Sequence, residues 1–130
     1  MRTLRLAALA LVAACVTAPR PSGLEGDLRL ALGETAAVGP DGLTVRFVSV
    51  VEDSRCPVGV QCVRAGEAKV QLALRAPGER DDAVILATEG GQPRDASFAG
   101  YDVHLVALDP PRRTDVPHPA YVVTLRFSRH

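Results

Sequence analysis

This chain of 130 residues contains no apolar run long enough to cross a membrane as a helix. A spanning helix needs about 20 apolar residues in succession, and the longest candidate, Leu6 to Ala14, falls far short. The chain also has no excess of positive charge, since 15 basic residues balance 15 acidic ones. That is not the balance of a nucleic-acid-binding chain, which needs a clustered positive field. Lysine occurs once, at Lys69, and every other basic residue is arginine, a compositional bias that marks no site. Catalytic patterns are missing too. There is no G-x-S-x-G, no H-E-x-x-H and no glycine loop of the kind that cradles phosphate. A nucleophile needs a base within hydrogen-bond reach. Ser54, His104 and Asp102 supply the residue types of a triad, but no spacing joins them. These absences read together as a non-enzyme without a cofactor.

What is present begins at the N-terminus. Arg2 and Arg5, the apolar run, and Ala13-Ala14 before Cys15 are the parts of a secretory signal peptide. With a cysteine directly after the alanines, the segment resembles a bacterial lipoprotein signal with its lipobox. The resemblance implies that residues 1–14 are removed and that Cys15 becomes the lipidated first residue. Plain secretion with cleavage after Ala18 is the alternative, and it would leave Pro19 after the cut. The mature chain would hold 116 residues, enough for one domain with one core. The expected location is the bacterial envelope, outside the cytoplasm, with the membrane as a partner through Cys15. No acidic residue follows Cys15, which favours the outer membrane if the cell is Gram-negative.

Cys56 and Cys62 remain as a pair in an oxidising compartment, so a disulfide is expected. Their C-x5-C spacing is not the C-x2-C of zinc ribbons or redox motifs, and no second Cys/His pair completes a metal site.

Residues 16–26 are rich in proline, glycine and serine and read, with Cys15, as a flexible tether over 15–26. From Asp27 the chain alternates with period two. Leu28, Leu30 and Leu32 share one face; Leu43, Val45 and Phe47 share another. The same holds for Ala68 to Leu74, Tyr101 to Leu105, and Tyr121 to Phe127, with Val84-Ile85-Leu86 as a short apolar run. Each pattern predicts a half-buried strand. Gly33-Glu34, Pro40-Asp41-Gly42, Pro77-Gly78-Glu79 and Gly90-Gly91 supply the turns. With Ala36–Val38 counted, about seven strands result, which predicts an all-β fold over residues 27–130. A single immunoglobulin-like antiparallel β-sandwich fits best, with a small barrel as the alternative. Two loops stand out: Glu52 to Gly66, which carries the cysteine pair, and Asp109 to Pro119, which holds four prolines.

The stretch Gly42 to Phe47, followed by Glu52-Asp53-Ser54-Arg55-Cys56-Pro57 and Val60-Gln61-Cys62-Val63-Arg64-Ala65-Gly66, carries a second resemblance. It is similar to a group of small, functionally uncharacterised bacterial lipoproteins and secreted proteins with a DSRCP…V-x-C-x-W-A-G-type signature. The likeness is most specific over residues 42–74. It implies an envelope location and a β fold, and it implies no reaction. Arg64 stands where the signature has tryptophan.

Read from its residues, the cysteine loop is either a structural corner or a preorganised recognition loop. Arg55 is placed to pair with Asp53 or Glu52; Asp53 and Ser54 are placed to accept backbone N–H groups. The candidate binding residues are Asp53, Arg55, Pro57, Val58 and Arg64. The expected function is a non-catalytic, lipid-anchored envelope domain that binds another envelope protein or a glycan, or supports an assembly. One alternative is a secreted inhibitor presenting loop 56–62 to a protease as an extended segment. Another is a metal-binding envelope module using Asp115 and His118, although single histidines at such spacing are weak ligand signals.

Overall fold

The computed structural model describes residues 26–89 and 93–130. The signal segment, Cys15, the tether up to residue 25 and the Gly90-Gly91 turn lie outside the described residues. Eight strands follow one another: β1 (Asp27–Ala31), β2 (Thr35–Val38), β3 (Leu43–Asp53), β4 (Ala68–Arg75), β5 (Asp82–Ala87), β6 (Asp95–Phe98), β7 (Tyr101–Asp109) and β8 (Val122–Arg129). They form two antiparallel four-stranded sheets, ordered β1-β8-β7-β6 and β2-β3-β4-β5. Neither sheet closes on itself, so the architecture is a β-sandwich and the barrel alternative falls away. Strands β2 to β5 form an uninterrupted meander, and β1 and β6 edge the other sheet.

The predicted inward residues form the core. Val45, Phe47, Val70 and Leu72 from one sheet meet Val103, Leu105, Val123 and Leu125 from the other, all essentially without solvent contact. Burying each such side chain stabilises the fold by about 1.5–3 kcal/mol before entropy is counted.

Three expectations need correction. The strand missed by sequence is β6, only four residues long, which gives eight strands rather than about seven. Leu32 does not continue the Leu28–Leu30 face, because β1 ends at Ala31 and Leu32 turns outward into solvent. Alternation also fails inside β3 and β7, where bulges fall between Phe47 and Ser49, between Val50 and Glu52, and between Leu105 and Ala107. Each bulge inserts one unpaired residue and re-phases the strand beyond it. The extra residues are Val48, Val51 and Val106; Val48 and Val51 are exposed. The two bulges in β3 cancel, so Asp53 opposes the buried Ala68 on the same inward phase as Leu43, Val45 and Phe47. In β7 one bulge turns Leu108, rather than Ala107, into the core.

The sandwich has two ends, and each of the two tyrosines closes one of them. At the first end, Tyr101 of β7 donates its hydroxyl to Asp41 in the β2–β3 turn, and Arg129 of β8 pairs with the same carboxylate. At the second end, Tyr121, just before β8, donates to Asp53 of β3 at 2.9 Å, and Arg55 pairs with that carboxylate at 2.8 Å. Each cluster ties one sheet to the other where the apolar core runs out.

Candidate binding end

The second end is built from the two loops that stood out in the sequence. The legs of the cysteine loop are pinned at their base. Ser54 N–H donates to the Glu67 carbonyl at 2.8 Å, and Glu67 N–H donates to Ser54 Oγ at 3.1 Å. At the tip, Val60 N–H donates to the Pro57 carbonyl at 3.2 Å, closing a tight turn. Gly59 is the third residue of that turn and takes φ 78°, which glycine adopts without the clash a side chain brings. The sulfurs of Cys56 and Cys62 are bonded at 2.16 Å, with Cα atoms 5.9 Å apart. Loop 56–62 is therefore a closed turn.

Arg55 fastens this loop to the proline loop. Its guanidinium donates to both Asp53 oxygens at 2.8 Å, to the Leu108 carbonyl at 2.7 Å and to the Pro110 carbonyl at 3.0 Å. Arg112 returns the contact, donating to the Arg55 carbonyl at 3.0 Å, and Val58 N–H donates to the Arg112 carbonyl at 2.9 Å. Burial alone pushes the Asp53 carboxyl up; hydrogen bonds from Arg55 and Tyr121, with the Arg55 charge, outweigh it and hold the carboxyl below its ordinary range. The hydrogen bond to Asp53 raises Arg55 despite burial. Burial, and then the carboxylate that accepts its proton, raise the Tyr121 hydroxyl.

These contacts divide the residues expected to bind. Asp53 and Arg55 face inward and spend their polar atoms on the fold, and Pro57 is buried, so none of the three presents a free surface. Asp53 and Arg55 stand two residues apart and pair locally, as their spacing suggests, and that pairing is structural work. Val58 and Arg64 are exposed, as a recognition role needs. Sequence reasoning missed Val60, Val63 and Val116, which are exposed beside them, and Tyr121, which locks the end from beneath. The valines around the cysteines lie outside any strand alternation, and that was the available signal.

Between the loops lies a hollow of about 360 Å³, lined by Asp53, Arg112, Arg113, Val116, Pro117 and Tyr121 among others. Arg113 is held by Asp115 through both carboxylate oxygens, at 2.9 and 2.8 Å. No three metal-ligating side chains converge among the described residues, and His118 is not brought to Asp115 with a third ligand. Ser54, His104 and Asp102 are not brought together either. Ser54 Oγ bonds Glu67, His104 pairs with Asp95 across β6 and β7, and Asp102 bonds Ser97.

The bridge closes a loop of seven residues, so the chain-entropy account gives it about 2 kcal/mol. The double replacement Cys56→Ser/Cys62→Ser is expected to lower unfolding free energy by that amount, read from the denaturant midpoint at unchanged slope. An unchanged midpoint would mean that the Ser54–Glu67 pins and Arg55 hold the loop unaided.

Comparison with known proteins returned no match: no protein-family model, no curated protein and no solved structure matches this chain.

Proposed function

We propose that the chain is a non-catalytic, lipid-anchored β-sandwich of the bacterial envelope that works by binding a protein or glycan through its disulfide end. One observation carries the binding role. Among the described residues, eight large apolar side chains are exposed, and six of them, Leu32, Val51, Val58, Val60, Val63 and Val116, lie at that end. Apolar residues scattered singly over a surface need no explanation, whereas their collection at one end marks an interaction site. The loops that carry them are stapled by the disulfide and by Arg55, so little ordering remains to oppose association. The anchor rests on the lipobox-like sequence before Cys15.

The test is recovery of crosslinked partners from intact envelopes, with the wild type beside Val58→Asp/Val63→Asp. Val58 is 62% exposed and Val63 is fully exposed, so the double variant should keep the wild-type melting temperature. It is expected to lose at least tenfold of the recovered partner, because two charges would be desolvated in the interface. A wild type that returns nothing sinks the binding role. The intact mass of the natively expressed chain decides the anchor, which requires an acylated Cys15.

A further inference from the structure

We infer that this binding end takes a protein partner whose apolar surface is bordered by carboxylates. The inference rests on the lipid-anchored binding role proposed above and adds the partner's chemistry. β7, nine residues long, spans the sandwich from Tyr101 at the first end to Asp109 at the second. At about 3.3 Å per residue it holds the two ends about 30 Å apart, so Val58, Val60 and Val63 are remote from the β4–β5 turn.

The partner's chemistry follows from charge. Among the described residues, Arg64 makes no ion pair, and Arg112 meets only a backbone carbonyl. Both flank the exposed valines. Arg55 is spent on Asp53 and Arg113 on Asp115, so Arg64 and Arg112 are the two loop arginines left without a carboxylate partner. An apolar centre with a cationic rim is complementary to an apolar patch with an acidic rim, and such rims set association rate and salt dependence. A glycan is the poorer occupant. Sugar recognition relies on exposed aromatic faces, and the aromatic residue here, Tyr121, is half-buried with its hydroxyl committed to Asp53.

The experiment places a photo-crosslinking amino acid at Val63, or at Glu79 in the β4–β5 turn of the opposite end, in the full-length anchored chain in cells. The expected result is a protein adduct from position 63 and none from position 79, with the crosslinked partner peptide rich in Asp and Glu. Arg64→Glu, at an exposed position, should then reduce the adduct at least fivefold at low salt while melting is unchanged. Adducts from position 79 alone overturn the choice of this end as the binding surface. A lipid or glycan adduct at position 63 overturns the partner class. A protein adduct indifferent to Arg64→Glu overturns the charge argument and leaves the binding role standing, while no adduct at either position removes that role itself.

Discussion

Asp53→Ala is expected to unfold this sandwich more readily than any surface substitution, by about 3 kcal/mol. The carboxylate and its partner Arg55 are mostly shielded, with side chains 9% and 17% exposed. Removing one member of a shielded pair leaves the other charged and unpaired, which for fully buried pairs costs about 3–5 kcal/mol. The residual exposure places this pair at the low end. Tyr121 also loses its acceptor, and the guanidinium that spans Leu108 and Pro110 loses its counter-charge. At about 4–8 °C per kcal/mol for a domain of this size, melting should fall by about 15 °C. Arg55→Ala should cost a similar amount, and the double variant much less than the sum, because each single change already breaks the pair. Additive losses in that cycle would show the two side chains to act independently.

The same carboxylate gives a pH signature. Its folded-state proton affinity is held below the ordinary value of about 3.9. Between the folded and unfolded values the unfolded chain binds more protons, so stability falls as pH is lowered through that window. Asp53's contribution is fully present above about pH 4 and lost below it. Wild type should therefore lose its advantage over Asp53→Asn as pH drops from neutral to about 2, and the two unfolding curves should converge. Curves that stay parallel would remove the ion pair as the source of the difference.

Gly66→Ala is the second large effect, expected at about 3 kcal/mol, the upper range of overpacking costs. A Cβ at Gly66 would stand 1.6 Å from the Ser54 carbonyl oxygen and 2.4 Å from its carbon. Those are backbone atoms and cannot swing aside. The two legs of the cysteine loop must separate, breaking the Ser54–Glu67 hydrogen bonds at its base. Gly59→Ala provides the contrast. Nothing lies within 4 Å of its Cβ, and only the positive φ resists, for about 1 kcal/mol. Hydrogen exchange separates the two mechanisms. Gly66→Ala should expose the Ser54 and Glu67 amides, while Gly59→Ala should leave both protected. Equal effects from both variants would mean that the loop base is not close-packed.

The difference between these two glycines shows how far a sequence can be read at this site. Gly59 sits in Cys56-Pro57-Val58-Gly59-Val60, where proline and glycine announce a turn on local grounds alone. Gly66 carries no such signal, because its constraint comes from Ser54, twelve residues away and folded against it.

The sequence by itself determined the class of fold and most of the core. Period-two alternation is a property of the extended backbone, so Ala68, Val70, Leu72 and Leu74, or Val123, Leu125 and Phe127, reveal their burial without knowledge of any partner. It pointed to the cysteine pair as well, because Cys56 and Cys62 share one loop and Cys15 lies far from both in sequence. Only the tertiary structure decided the make-up of the candidate binding end. Bulges depend on how β3 meets β4 and how β7 meets β8, and a single inserted residue reverses every later side chain. In β3 the first bulge turns Val50 inward and leaves Val51 outside, and the second restores the original phase at Asp53, which meets Arg55 and Tyr121. The joining of the cysteine and proline loops through Arg55 and Arg112 spans more than fifty residues of chain. No local pattern records such a contact, because it arises only when two sheets stack and their ends must be closed.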